Sequence, residues 1–120
     1  MNVVVTVYEH LKHIGVPANL SGYKYLQLAI GYALEDPEII NSITKTLYPQ
    51  VARACNSTPI RVERSIRHAI EYVFSNTDVT ILKRYFGNTY SIHSGKLSNS
   101  QFIAGVAEHI RMEVLKNDEY

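Results

Sequence analysis

The sequence predicts an all-α domain, and two observations lead to this prediction. Apolar residues recur at spacings of three and four along almost the whole chain, as they do in helices that bury one face. Proline, glycine and asparagine interrupt this pattern at intervals that suit helix ends. The alternation expected of a strand is unconvincing even in the best candidate segment, VVVTV at residues 3–7. We therefore interpret the segments between these interruptions as helices.

The first two predicted helices are separated by Gly15 and the Val16-Pro17 pair, which close the first one. Its expected inward face consists of Val5, Tyr8, Leu11 and Ile14. Ser21 is a suitable N-cap for the second helix, which ends at Asp36-Pro37. A broad apolar face predicts that this second helix is largely buried, through Tyr25, Leu26, Leu28, Ala29, Tyr32 and Ala33.

Two prolines organise the middle of the chain. Pro37 suits the first position of a third helix, whose apolar residues are Ile39, Ile40, Ile43 and Leu47. Pro49 then predicts a break or a restart, because a proline inside a helix loses a hydrogen bond and clashes with the preceding turn. A short helix over about 49–55 follows, and Asn56-Ser57-Thr58-Pro59 is expected to form a turn.

Three further helices complete the prediction. The first runs over about 59–75 and ends at Asn76-Thr77-Asp78, and the second covers 79–86 and ends at Gly87-Asn88. Residues 90–96 are expected to form a loop. Ser98 or Asn99 caps the last helix, which extends to about residue 116. Its expected inward residues are Phe102, Ile103, Val106, Ile110 and either Val114 or Leu115.

The segment of about 49–75 fits the steric requirements of a helix-turn-helix. Ala52 is small enough to let the second helix cross the first closely. Four residues later the turn needs a left-handed backbone, and Asn56 is the non-glycine residue that best tolerates it. Val62 supplies the β-branched residue that packs back. The next expected apolar position holds Ser65, so the match is good but incomplete.

Positive charge is concentrated in one stretch, although the whole chain carries a net charge of only +1. Residues 41–70 hold five cations against one acid, a net charge of +4, which leaves −3 for the rest of the chain. The cations are Lys45, Arg53, Arg61, Arg64 and Arg67, and the acid is Glu63. Such local polarity is typical of nucleic-acid binding.

The charges of the 59–75 helix share one side. At about 100° per residue, Val62, Ile66, Ala69, Ile70 and Val73 fall on one side, and Arg64, Arg67, His68 and Glu71 on the other, flanked by Arg61 and Glu63. A charged face is commonly only solvated. However, each cation in the first turns interacts unfavourably with the helix dipole, at a cost of about 0.3–1 kcal/mol. The guanidinium fork also matches guanine O6 and N7 or phosphate, and a glutamate can accept from cytosine. DNA reading is therefore the favoured interpretation.

The motif SITKTLYP followed by RVERSIRHAIE resembles the C-terminal effector domain of the sporulation master response regulator family, stage-zero sporulation protein A. The similarity continues through IGVPANLSGYKYLQLAI upstream, and through FGNTYS and NSQFIAGVAEHIRMEV downstream, so it covers about residues 11–114. The resemblance implies a six-helix, all-α transcription-factor domain. It also implies that the helix beginning near Pro59 enters the major groove of a short promoter box.

The resemblance also implies roles for individual residues. Base contacts would be made by Glu63, Arg64 and Arg67. Contacts to the DNA backbone would be made by Ser42, Lys45, Ser57, Thr58, Arg61 and His68. The family often has a small residue and a serine where this chain has Pro59 and Ile60, so one phosphate-contacting hydroxyl is missing.

A contact with the RNA polymerase sigma factor is implied for residues 81–90. The residues concerned are Ile81, Lys83, Phe86 and Tyr90, in a segment that is bulkier and more basic than the serines of the family. The other implied partners are double-stranded DNA, a second copy of the domain on DNA, and the receiver domain of a full-length two-component regulator. Nothing in the sequence resembles the receiver's acidic phosphorylation site. We therefore expect one effector domain over 1–120, either excised or a stand-alone relative, in the bacterial cytoplasm on the nucleoid.

Other classes of function have less support. No segment approaches the roughly 20 apolar residues of a membrane span, and the single Cys55 excludes an internal disulfide. His10 and His13 share a helix face and could hold a metal with Glu9 or a distant ligand, but no second pair at metal-site spacing accompanies them. We therefore expect no cofactor, no metal and no enzymatic activity. A helical protein-interaction module without DNA specificity remains the alternative, and activation and repression are both open.

Overall fold

The computed structural model describes residues 1–87 and 97–118, and these residues form six α-helices and no strand. The helices are α1 (Val3–Ile14), α2 (Ser21–Glu35), α3 (Tyr48–Ala54), α4 (Pro59–Asn76), α5 (Val79–Phe86) and α6 (Asn99–Asp118). The predicted all-α class is confirmed. The bounds predicted for the helix before Gly87 agree with those of α5.

The helix predicted between Pro37 and Leu47 is not an α-helix. Pro37 does open a helical segment, and the Asp36 carboxylate accepts a hydrogen bond from the Glu38 N–H at 3.2 Å. The segment is a 3₁₀ helix over Pro37–Ser42, followed by a π-helical turn over Ile43–Leu47 that leads directly into α3. Of the break or restart predicted at Pro49, the structure shows a restart, because α3 begins at Tyr48 directly after the π-helical turn. Pro49 lies in the first turn of α3, where its missing N–H costs no helical hydrogen bond.

Helix α1 buries a different face from the predicted one. Val7, Leu11 and Ile14 are completely buried, whereas Val5 and Tyr8 are 48% and 44% exposed. The segment VVVTV offers apolar residues at nearly every position, so two overlapping faces satisfy the helical period. Packing against α2 decides between them. Gly15 ends the helix with φ of 95°, as predicted for a left-handed C-terminal residue.

Helix α2 packs against α1, α4 and α6 and lies at the centre of the domain. Its predicted face is largely confirmed, since Tyr25, Leu26, Ala29 and Ala33 are buried, together with Ile30. At its N-terminal end, a Cβ atom on Gly22 would lie 2.2 Å from the backbone carbonyl oxygen of Ser65 in α4. The absence of a side chain at this position therefore lets α2 and α4 cross in backbone contact.

Helix α6 begins with a reciprocal capping arrangement. The Ser98 hydroxyl accepts from the Gln101 N–H at 3.1 Å, and the Gln101 side chain accepts from the Ser98 N–H at 2.9 Å. Of the two predicted caps, Ser98 is the correct one. The predicted inward residues Phe102, Ile103, Val106 and Ile110 are buried. Within the described ranges, no helix is both long and apolar enough to span a bilayer.

Candidate nucleic-acid interface

Helices α3 and α4 and the turn between them meet the steric requirements of a helix-turn-helix. Ala52 in α3 is buried, and Val62 in α4 is completely buried. Asn56 has φ of 50°, and it is the one non-glycine residue with positive φ in the described part of the chain. The Ser57 N–H donates to the Ala52 carbonyl at 2.8 Å, which closes the turn. Asparagine is thus present where the backbone needs a left-handed residue.

The turn is held against the rest of the domain at the point where α4 begins. The Tyr25 hydroxyl of α2 donates to the Ser57 hydroxyl at 3.0 Å. The Thr58 hydroxyl caps α4 by accepting from the Arg61 N–H at 3.2 Å, and Pro59 occupies the first turn. The first turn of α4 contains no acidic residue. The positive end of this helix therefore lies beside Arg61 without a carboxylate to balance it.

The two sides of α4 differ as the sequence predicts. The inward side is completely buried and consists of Val62, Ile66, Ala69, Ile70 and Val73. On the other side, Arg61, Glu63, Arg64, His68 and Glu71 are exposed, and Arg67 is half-buried. The buried row fixes the rotation of the helix about its own axis. The charged row is therefore held toward the solvent.

Arg67 is more constrained than Arg64. Its Nε atom lies 3.5 Å from Oε1 of Glu71, one helical turn later. This Nε–H group is buried and donates no hydrogen bond to any of the described residues. The structure therefore holds the Arg67 guanidinium close to the helix surface, while the Arg64 side chain extends into solvent.

A concave surface runs between α4 and the start of α6. It is lined by Ile43, Tyr48, Glu63, Arg64, Arg67, His68, Glu71, Ser98, Asn99 and Ser100. All three predicted base-contacting residues border this concavity, as does His68. The contribution of residues 98–100 was not predicted, because the sequence signal there indicates only a helix cap.

The other predicted DNA-backbone contacts lie on three neighbouring segments. Ser42 and Lys45 belong to the helical segment before α3, where the Ser42 hydroxyl is 2.8 Å from that of Thr46. Ile43 lines the concavity, so this segment borders it. Lys45 is exposed, as is Thr58 in the turn, whereas Ser57 is half-buried.

The residues predicted to contact a sigma factor are not equivalent in the structure. Lys83 is exposed on α5 and Ile81 is half-buried. Phe86 is only 5% exposed, and its ring centroid lies 5.1 Å from that of Phe102 in the core. Its burial argues against a direct contact with a partner. Tyr90 lies outside the described residues.

Comparison with known protein families finds a match over most of the chain. The family described as "Sporulation initiation factor Spo0A C terminal" matches residues 7–110. The matched region contains the whole of α2 to α5 and most of α6, and therefore the complete helix-turn-helix and the concave surface beside it.

Proposed function

The chain belongs to the family of C-terminal domains of the sporulation initiation factor Spo0A, which are generally DNA-binding effector domains of a sporulation regulator, and from this premise we propose that it binds promoter DNA sequence-specifically through α4. One observation carries the proposal. Arg64 is exposed on the side of α4 opposite the completely buried Val62 and Ile66. An α-helix docked in this way can enter the major groove with its charged side toward the bases.

In this proposal three side chains read base edges. Arg64 and Arg67 can donate in bidentate fashion to guanine O6 and N7, and Glu63 can accept from the amino group of cytosine. Arg64 and Glu63 are exposed and free to extend into the groove. Arg67 starts from its ion pair with Glu71, so it has to exchange that partner for a base. We therefore propose Arg64 as the principal base contact.

Phosphate contacts would hold the domain in register on the duplex. Arg61, Lys45 and His68 supply exposed basic side chains, of which His68 lines the concavity, and Ser42, Ser57 and Thr58 supply hydroxyls. The first backbone N–H groups of α4 lie at the helix N-terminus, where the helix dipole favours a bound phosphate. The arginines that oppose this dipole in the free domain are then balanced by the bound phosphate.

Three further assignments belong to the same proposal. Residues 1–120 act as one effector domain in the bacterial cytoplasm, controlled by a receiver domain where a full-length protein carries one. Two copies of the domain bind paired boxes, as is common for helix-turn-helix proteins. On α5, the exposed Lys83 and the half-buried Ile81 contact a sigma factor.

A selection from random DNA duplexes at one fixed salt concentration tests this function. The purified 120-residue chain should enrich a short box, and the double substitution of Arg64 and Arg67 by alanine should abolish the enrichment. Retained enrichment in that variant would move base reading away from α4. If the unaltered chain enriches no sequence, the alternative of a protein-interaction module without DNA specificity gains support.

A further inference from the structure

Two histidines and one glutamate from opposite ends of the chain meet beside α5. His10 belongs to α1, and His109 and Glu113 lie four residues apart on α6. Oε2 of Glu113 is 3.3 Å from Nε2 of His10 and 3.0 Å from Nε2 of His109. The three candidate ligand atoms all lie within 4.8 Å of one another. The sequence predicted no such group, because nothing local connects His10 with a histidine 99 positions later.

The separations match those of a small metal site. A zinc ion binds histidine nitrogen and carboxylate oxygen at about 2.0–2.2 Å, so neighbouring ligand atoms in a tetrahedral site are about 3.3 Å apart. Both distances to the Glu113 oxygen are close to this value. The candidate ligand nitrogens of the two histidines lie within 4.8 Å of each other. The histidines are largely covered, whereas the Glu113 side chain is 51% exposed. An ion held here would therefore keep a position open to solvent.

The ring of His10 is held by a second partner, as is usual for histidine ligands. Its Nδ1 atom lies 2.7 Å from the Tyr85 hydroxyl, which is also 3.1 Å from Nδ1 of His13. The Tyr85 hydroxyl has a single proton. It can donate that proton to one ring only, and the other ring must then donate to it. When His10 is that donor, its neutral ring directs the Nε2 lone pair toward Glu113.

The surroundings favour a metal that binds imidazole. The cleft is lined by the acids Glu9 and Glu113 and by the bases Arg84 and Lys116. Attraction by net charge is therefore weak, and hard cations such as Mg²⁺, which need several oxygen ligands, are disfavoured.

We propose that His10, His109 and Glu113 form a binding site for one divalent transition-metal ion of the zinc class. The site joins the N-terminal helix α1 to the C-terminal part of α6, so metal binding should stabilise the folded domain by linkage. It shares no lining residue with the concave surface beside α4. The proposal therefore stands independently of the DNA-binding function.

Zinc titration of the metal-free 120-residue chain tests the site. Calorimetry should show one Zn²⁺ per chain, and Zn²⁺ should raise the melting temperature while Mg²⁺ leaves it unchanged. The ¹⁵N-detected imidazole signals of His10 and His109 should shift on binding. In Glu113→Gln and His109→Ala the dissociation constant should rise at least tenfold. Tyr85→Phe should weaken binding by about 10–100-fold, because it removes the outer partner that orients His10.

One control histidine separates a built site from general surface binding. His68→Ala removes an exposed histidine on α4 that is not a proposed ligand. This variant should bind Zn²⁺ within threefold of the unaltered chain. Equal binding by Glu113→Gln, His109→Ala and the unaltered chain would overturn the proposal. It would also be overturned if titration with up to a 100-fold excess of Zn²⁺ produced neither heat nor imidazole shifts.

Discussion

The side-chain amide of Asn99 donates a hydrogen bond to the backbone carbonyl oxygen of Glu63, with 3.2 Å between nitrogen and oxygen. The same nitrogen lies 3.0 Å from the Tyr48 hydroxyl, to which it also donates. Asn99 is only 8% exposed. A single buried amide thus ties the start of α6 to α3 and to the turn of α4 that contains Glu63. The walls of the concave surface are fixed relative to one another by this contact.

Replacing the amide by a carboxylate should therefore destabilise the domain. In Asn99→Asp an acceptor replaces the donor that faces the Glu63 carbonyl, so this hydrogen bond is lost and two acceptor oxygens face each other in a largely covered site, at a cost of about 1–3 kcal/mol. Urea unfolding followed by circular dichroism measures the loss. Asn76→Asp is the matched control, since Asn76 makes the same kind of bond to the Tyr72 carbonyl at an exposed site. An equal loss in both variants would contradict the role of the buried contact.

The close crossing of α2 and α4 predicts an unusual sensitivity at Gly22. An added Cβ would lie 2.2 Å from a backbone oxygen, so Gly22→Ala must push the two helices apart, at a cost of about 1–3 kcal/mol or more. Gly31→Ala on the same helix is the control. Its Cβ would meet only a Val3 methyl carbon at 3.8 Å, and alanine there should raise stability by up to about 1 kcal/mol.

Thermal unfolding of the two glycine variants gives the comparison directly. The melting temperature should fall for Gly22→Ala and stay level or rise for Gly31→Ala. If both variants had the same melting temperature as the unaltered protein, the backbone contact between α2 and α4 would be wrong.

Features set by local chemistry could be predicted from the sequence. The left-handed turn at Asn56, the end of α1 at Gly15 and the bounds of α5 follow from the conformational preferences of single residues. The separation of α4 into a buried and a charged side follows from its period. These features also determine which candidate DNA contacts are exposed, so the main outline of the candidate interface was predictable.

Features decided by tertiary packing could not be predicted. Val5 and Val7 are equally apolar, and only the docking of α1 against α2 selects Val7 for the core. Phe86 was assigned to a partner surface through the family resemblance, and no local signal in the sequence marks it as buried. The lining of the concavity by residues 98–100 depends on α6 returning to α4, which is a long-range contact. Sequence periodicity gives the face of a helix but not its neighbour.

Arg64→Ala should reduce both affinity and specificity for the selected DNA box. Loss of a bidentate base contact costs about 1–3 kcal/mol on the cognate sequence and relaxes the preference at that base. Fluorescence anisotropy with the selected duplex and a scrambled duplex, at the same salt concentration, measures both effects. Unchanged specific binding would show that Arg64 does not read a base.

Lys45→Ala is the matched comparison, because it removes one exposed cation at the border of the same surface. A phosphate contact carries no sequence information, so binding to the selected and scrambled duplexes should weaken by the same factor. The slope of log affinity against log salt should decrease by about one unit, owing to the loss of one phosphate neutralisation. A change in preference between the duplexes would instead assign Lys45 to base reading.

The N-cap of α5 gives the domain a stability term that depends on pH. A hydrogen bond from the Thr80 N–H to the Asp78 carboxylate, 2.7 Å long, lowers the pKa of Asp78 below its ordinary value of 3.8. The contribution is therefore present above pH 3.8 and is lost as the pH falls through the lowered value in the folded state. The melting temperature of Asp78→Ala should lie below that of the unaltered protein at pH 6, and the gap should narrow below pH 3.8.

The control for this pH dependence is Asp78→Asn, which keeps an oxygen cap but does not titrate. Its melting temperature should lie between those of the other two proteins at pH 6. A gap between Asp78→Ala and the unaltered protein that stayed constant down to pH 2 would exclude the carboxylate as its source.

Ile60→Ser should strengthen binding to DNA without changing which sequence is preferred. Ile60 lies in the first turn of α4 and is 66% exposed, so it contributes little to the core. A serine there would place a hydroxyl donor at the helix N-terminus, where phosphate is expected. A hydrogen bond to a charged group is worth about 1.5 kcal/mol or more, which corresponds to roughly tenfold in affinity. Because phosphate contacts do not read sequence, the selected and scrambled duplexes should gain alike.

Anisotropy titrations of Ile60→Ser and Ile60→Ala together identify the cause of any gain. Both substitutions remove the same exposed apolar surface, and unfolding free energies should change by no more than about 0.5 kcal/mol in either case. Only the serine adds a donor, so only Ile60→Ser should bind more tightly. If Ile60→Ala gained as much, the isoleucine would be obstructing the approach of α4 to the duplex, and the missing hydroxyl would not be what limits affinity.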